Sequence, residues 1–224
     1  MIDKPIVLVA HRAGNDAAAS SAVEVADMIE LDVHLFRGRA EVRHSKALWP
    51  TSRLFEGWHL LPRSAMRPHL TGVLEALPPA KGLWIDLKGP DPRLSGRVLE
   101  SLDARGNGAR GNGEVWVSAR SWWLLAPFRS IEGIRTFMSV GSGWQRPLAL
   151  WCLDRGWSDG IVMHEGLASD DVVEQMPGSA LLVAWAVEDV SRATELLSSG
   201  LDGLIIDDPA VIRSTRDLLD ARTR

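Results

Sequence analysis

"MIELDVHLF", residues 28–36, carries two messages at once. Ile29, Leu31, Val33 and Leu35 alternate with Glu30, Asp32 and His34. Successive side chains on a strand point to opposite faces, so this spacing predicts a strand with one apolar face. The other face gathers two carboxylates and an imidazole. A buried strand keeps such a face only where other elements bring partners to it.

Similar apolar, β-rich runs recur along the chain. They are "IVLVAH" (6–11), "MIELDV" (28–33), "GLWIDLK" (82–88), "EVWVSA" (114–119), "IRTFMSV" (134–140), "DGIVMH" (159–164), "LLVAWAV" (181–187) and "DGLIID" (202–207). Each precedes a stretch able to form a helix, among them 92–105, 189–200 and 208–223. The last two begin with acidic residues, and Gly200 closes the second. Strands alternating with helices imply parallel strands joined by crossover helices. Eight units predict an α/β fold of the (β/α)8 barrel type, a TIM barrel. An open doubly wound sheet is disfavoured, because no G-x-G-x-x-G follows the first strand. "AEVRH" (40–44) follows Leu35 too closely for a crossover and predicts an extra antiparallel hairpin strand after the second one. A turn at Arg37–Gly38–Arg39 would place His44 opposite Asp32, within a residue. Residues 46–69 show no clear period and read as a long surface loop, and "GNGARGNG" (106–113) reads as a flexible turn. With no repeat or linker, residues 1–224 are expected to form a single domain.

Composition narrows the class. The 224 residues are 46% hydrophobic and 24% charged, as in an ordinary globular protein. A net charge of −4 argues against a coat for nucleic acid. The lone Cys152 excludes an intrachain disulfide and reads as a small core residue. The first fourteen residues are too short and charged for a signal peptide, and no run has transmembrane length. A soluble, cytoplasmic protein is expected, with its oligomeric state open. Ten tryptophans without a tyrosine is an unusual balance.

The polar residues cluster at strand ends. The first run ends in His11–Arg12, Glu30 and Asp32 lie on the second, and Asp86 and Lys88 share a face of "WIDLK". The hairpin strand supplies His44, the seventh run Trp185, and the last Asp207. In a barrel these ends form the rim where active sites are built. Carboxylates crowded in one volume repel each other unless a cation compensates them. Glu30, Asp32 and Asp86 are therefore the expected ligands of a divalent cation, Mg²⁺ or Ca²⁺, which prefer oxygen donors. Arg12 and Lys88 suggest an anionic substrate such as a phosphate. His11 and His44 could supply the general acid and base. A bland reading of Asp86 with Lys88 is a simple salt bridge. His34 is expected to be neutral against its neighbours, and His59 and His69 to be solvated.

In order, "AHRAG", "IELDVHL", "EVRHS", "IDLK", "VSAR", "AWAVED" and "GLIIDDP" resemble the motifs of the glycerophosphodiester phosphodiesterase superfamily, over residues 6 to 209. The resemblance implies a metal-dependent phosphodiesterase barrel that hydrolyses glycerophosphodiesters to glycerol phosphate and an alcohol. It matches His11 and His44 to the catalytic histidine pair and Glu30, Asp32 and Asp86 to the metal ligands, though the family usually has glutamate at the third. It matches Arg12 and Lys88 to phosphate-binding positions, Trp185 to a wall of the substrate pocket, and Asp207 to a structural aspartate. Departures are also present. Ala13 replaces the glycine after His-Arg, the P-E-N-T motif is absent, and Ser45 follows His44 where an aspartate is usual. The "DLK" motif and short first loop resemble instead the sphingomyelinase D-like branch, whose disulfide this chain cannot form. Two rivals stand beside it: a barrel in which Lys88 forms a Schiff base, and a non-catalytic barrel that binds phosphoesters or a partner protein.

Overall fold

The structure is a computed structural model that describes residues 6–11, 18–48, 53–56, 59–62, 67–78, 81–105 and 113–222. Met28–Phe36 is one continuous strand, and its neighbours on both sides explain its two-faced pattern. In chain order the elements are β1 (Val7–Ala10), α1 (Ala18–Val25), β2 (Met28–Phe36), β3 (Arg39–Val42), β4 (Lys46–Leu48), β5 (Arg53–Glu56), β6 (His59–Pro62), α2 (Leu70–Ala76) and β7 (Gly82–Lys88). They continue with α3 (Arg93–Ala104), β8 (Val115–Ala119), β9 (Ile134–Val140), α4 (Arg146–Asp154), β10 (Gly160–His164), α5 (Asp170–Gln175), β11 (Leu181–Val187), α6 (Val190–Ser198), β12 (Gly203–Ile206) and α7 (Pro209–Arg222). Short 3₁₀ segments cover Trp122–Phe128, Gly143–Gln145 and Glu165–Leu167.

Among the described residues, β1, β2, β7, β8, β9, β10, β11 and β12 are paired in parallel in that cyclic order. The β1–β2 pairing closes the ring, so the expected TIM barrel is present. β3 lies outside the ring, antiparallel to the C-terminal half of β2. The hairpin turn is a two-residue one, Arg37–Gly38, with φ of 49° and 77°. Positive φ at both central positions matches the twist of the strands, and Gly38 meets that demand without strain. The shorter turn sets the register: Arg43 N–H bonds Asp32 O at 3.0 Å, so Arg43 faces Asp32 and His44 follows one residue on.

Two apolar layers hold the barrel. The larger lies between the outward strand faces and the helices and includes Ile29, Leu31, Ile85, Val117, Leu94 and Ile212. The smaller fills the barrel axis with Val9, Met28, Trp84, Trp116, Phe137, Val162, Val183 and Ile205. Trp116 and Phe137 stack at 4.8 Å between centroids, and Trp84 lies 5.3 Å and 4.8 Å from them. Two of the ten tryptophans are thus the plug of the barrel. Cys152 is buried on α4, as read from the sequence.

The expected helices at 92–105, 189–200 and 208–223 correspond to α3, α6 and α7. Asp189 caps α6 by accepting from Arg192 N at 2.8 Å, and Gly200 takes φ of 103° after its end. Two expectations fail locally. Residues 46–69 are not only loop, because β4, β5 and β6 form a small antiparallel sheet. Its strands are three or four residues long, and β5 buries Leu54 while exposing Phe55, so no alternation shows. After β8 the chain forms a 3₁₀ run around Pro127, which has no N–H for a helical ladder. The turn expected at 106–113 lies outside the described residues except for Gly113. No helix among the described residues is long and apolar enough to cross a membrane.

Gly160 starts β10 where a Cβ would lie 2.6 Å from Phe137 Cε1 and against Leu181 O. Gly160→Ala is expected to destabilise the fold by about 1–3 kcal/mol through overpacking. Gly96, inside α3 with nothing within 4 Å, should instead gain about 0.5–1 kcal/mol on substitution by alanine. Urea unfolding midpoints of the two variants check the opposite signs.

Candidate active site

The parallel register places the polar ends of the strands together. Asp32 pairs with Asp86 and His34 with Lys88 across β2 and β7, while Ala10 pairs with Ile206 across β1 and β12. Each inward face changes from apolar below to polar above: Met28 to Glu30 and Asp32, Trp84 to Asp86 and Lys88, Trp116 to Ser118, and Phe137 to Ser139. A cavity of about 320 Å³ opens at this C-terminal end. His11, Glu30, Asp32, His44, Asp86, Lys88 and Trp185 all line it, so seven of the eight residues proposed from the sequence converge. The eighth, Arg12, lies outside the described residues.

Charge compensation dominates the geometry. Glu30 and Asp32 are 2% and 3% exposed. The ammonium of Lys88 sits 2.7 Å from Asp32 Oδ1 and also donates to Asp86 Oδ2. Burial works against the charge of Lys88, but the carboxylates of Asp86, Asp32 and Glu30 outweigh it and hold the ammonium above its ordinary range. Burial likewise opposes ionisation of Asp32, and Lys88 prevails and holds its carboxyl below the ordinary value. The simple salt bridge of Lys88 is therefore real, but it is shared between two strands.

Asp86 is fixed from below as well. Ser118 Oγ donates to Asp86 Oδ1 at 2.8 Å, and Trp84 Nε1 donates to Ser118 Oγ at 2.9 Å. A single hydrogen-bonded chain thus runs from the tryptophan plug through Ser118 and Asp86 to Lys88 and Asp32. Ser118 was not singled out from the sequence, yet its place two residues after Trp116 in "WVSAR" puts it on the inward face.

His11 is held by the last strand. Its backbone N–H bonds Ile206 O at 2.9 Å, and its Nδ1–H donates to the carboxylate of Asp207. Nε2 then points to the site, 3.8 Å from Glu30 Oε2. Asp207, the structural aspartate of the resemblance, thus holds one of the histidines that line the cavity. His34 lies at the same rim and is neutral: burial first, then the charge of Arg43, pushes it down to about 3. His69 is exposed and stands 3.4 Å from Arg39 Nη1. His59 begins β6.

Trp185 reaches the cavity by ordinary alternation, on the inward face that already carries Leu181 and Val183. Its indole meets the ring of His164 edge to face at 4.6 Å. A β-bulge follows it: the pairing of β11 with β12 shifts register between Trp185 and Val187, and Ala186 takes a left-handed φ of 65°.

The donor atoms of His11, Glu30 and Asp32 lie within 4.8 Å of one another. Asp32 Oδ2 is buried without a hydrogen-bond partner among the described residues. A buried carboxylate oxygen with no donor, next to a second carboxylate, fits a hard divalent cation. Asp86 is beside this group in register but is occupied by Ser118 and Lys88.

No family model and no curated protein matches the chain. Solved structures do. A phosphodiesterase from Oleispira antarctica, in complex with the product sn-glycerol-3-phosphate, superposes with a TM-score of 0.73 at 20% identity, over 94% of this chain and 96% of that one. A glycerophosphodiester phosphodiesterase from Thermotoga maritima gives 0.70 at 15% identity, over 95% and 98% of the two chains. One from Parabacteroides distasonis gives 0.70 at 16% identity, over 99% of each. At these identities the likeness establishes the fold: over the covered residues this chain folds as those glycerophosphodiester phosphodiesterases do.

Lys88→Met should leave Asp32 and Asp86 without their shared cation and cost about 3 kcal/mol of stability. Denaturant unfolding in EDTA reads the loss. Adding Asp32→Asn to that variant should recover part of it, since one buried charge then disappears.

Proposed function

We propose that this chain is a divalent-cation-dependent phosphodiesterase that hydrolyses glycerophosphodiesters to glycerol phosphate and an alcohol. The observation that carries it is the presence of His11 and His44, beside the neutral His34, in one cavity with Glu30, Asp32, Asp86 and Lys88. Hydrolysis of a phosphodiester needs one group to take a proton from the nucleophile and another to give one to the departing oxygen. It also needs positive charge around the phosphoryl oxygens. The solved relative that holds sn-glycerol-3-phosphate has the same fold, which supports the choice of substrate class.

Glu30 and Asp32, with Asp86 as the third carboxylate, are the residues proposed to hold the cation, Mg²⁺ or Ca²⁺. When bound, the ion neutralises charge on the phosphate and polarises the P–O bonds. Lys88 stands between Asp32 and Asp86, so a phosphate at this rim meets a fixed ammonium, and Arg12 is proposed to add a second cation. One imidazole accepts the proton of the attacking oxygen, from water or from a hydroxyl of the glycerol. The other gives a proton to the alcohol oxygen as its bond to phosphorus breaks. His11 is committed to Nε2 for this exchange, because Asp207 holds its Nδ1–H. Trp185 walls the side on which the alcohol lies. The whole chain is taken to act as one catalytic domain, in the cytoplasm.

His11→Ala and His44→Ala are each expected to lower kcat by at least about 10³-fold with the far-UV spectrum unchanged. Asp207→Asn should reduce kcat/KM by about 10²-fold or more, because the imidazole loses its orienting carboxylate. The assay is release of glycerol phosphate from glycerophosphoglycerol and glycerophosphocholine, with Mg²⁺, with Ca²⁺ and with EDTA. Full activity in EDTA, or in either histidine variant, refutes the reading. Asp32→Ala should also abolish calorimetrically measured binding of the metal alone.

A further inference from the structure

The cavity has two unlike halves. The half formed by β1, β2 and β7 carries the histidines, the carboxylates and Lys88. The half formed by β8 to β11 is lined by Ser118, whose hydroxyl is given to Asp86 of β7, and by Arg120, Ser139, Val162 and Trp185. No carboxylate among the described residues lines this second half. Arg120, one residue past the end of β8, is an exposed cation there. Among the described residues no carboxylate pairs with it, whereas Lys88 is already shared between Asp32 and Asp86.

Arg120 is also seated. A Cβ at Gly141 would lie 2.8 Å from its Nη2, 2.9 Å from Cζ and 3.2 Å from Nε. All three distances are short, so the guanidinium lies flat over the bare Cα of Gly141, past the end of β9. A planar fork held this way presents its N–H groups in a fixed direction and suits a carboxylate or phosphate. The neighbouring hydroxyl of Ser139 and indole of Trp185 can contact the carbon and hydroxyl groups that carry such an anion.

From this arrangement we infer that Arg120 selects the alcohol part of the substrate, favouring one that bears a second anionic group over a neutral or cationic one. This inference rests on the phosphodiesterase reading, in which the phosphate occupies the β1–β2–β7 half. A choline or ethanolamine head group would meet the guanidinium with like charge and find no carboxylate in this half. A carboxylate or a terminal phosphate monoester would find a preset partner.

The test compares kcat/KM for four glycerol phosphodiesters. Their alcohols are glycerol (neutral), choline (cationic), glyceric acid (a carboxylate) and glycerol phosphate (a phosphate monoester). The unmodified protein should prefer at least one anionic diester to the neutral one by about tenfold or more, the choline diester ranking last. The better of the two anionic arms identifies the anion. Arg120→Met should bring the anionic-to-neutral ratio close to one, and Arg120→Lys should retain part of it. Gly141→Ala should lower the ratio by displacing the guanidinium, while Arg97→Met on exposed α3 leaves it unchanged. A ratio of one or less in the unmodified protein, or one unaltered by Arg120→Met, overturns the inference. If none of the four diesters is cleaved with either metal, the phosphodiesterase reading fails separately. Calorimetric binding of the glyceric acid diester then decides: loss in Arg120→Met supports the role of Arg120, and equal binding refutes it.

Discussion

Two carboxylates on adjacent strands share one ammonium, and the mouth of the barrel is organised around that fact. Asp32 and Asp86 stand side by side on β2 and β7 in a place largely closed to water. Without Lys88 their repulsion would oppose the very pairing that closes this part of the ring. With it, the two strands are joined by charge as well as by backbone hydrogen bonds. Glu30 is buried beside them, 3.8 Å from His11 Nε2, and one oxygen of Asp32 has no hydrogen-bond partner among the described residues. With the imidazole of His11 they form the group of ligand atoms that this mouth offers to a cation.

The apolar plug and the polar mouth are one construction. Trp84 fills the barrel axis and, through its indole N–H, also ends the hydrogen-bonded chain that runs up through Ser118 to Asp86. A tryptophan can do both because it combines a large apolar body with a single donor at its edge. The packing of Trp84 against Trp116 and Phe137 therefore fixes the height and direction of a carboxylate above it. This gives part of the tryptophan-rich composition a physical reason.

The barrel was legible because its evidence is periodic: eight β-rich runs, each followed by a helix-compatible stretch, leave few alternatives. The site was legible because period-two alternation carries inward residues to the strand ends, so Glu30, Asp32, Asp86 and Lys88 could be placed on one rim without knowing any distance. The small sheet of β4 to β6 was not legible, since strands of three or four residues with apolar groups on both faces produce no period. The hairpin register was legible only to within a residue, Arg43 and not His44 facing Asp32, because a two-residue and a three-residue turn look alike until φ at Arg37 is known. Asp207 was read as structural without a partner, because only the pairing of β12 with β1 brings the residue after β12 to His11. Arg120 passed unnoticed for a different reason: its seat depends on Gly141, and the value of an absent side chain is visible only in three dimensions.

The ring is sealed by its first and last strands, and the carboxylate that steadies His11 is 196 positions away along the chain. His11 thus precedes by nearly the whole barrel the group that holds it, which arrives only after β12. A chain in which β12 has not yet docked on β1 lacks the carboxylate that holds Nδ1 of that imidazole. Closure of the ring and orientation of that imidazole are therefore a single event in folding.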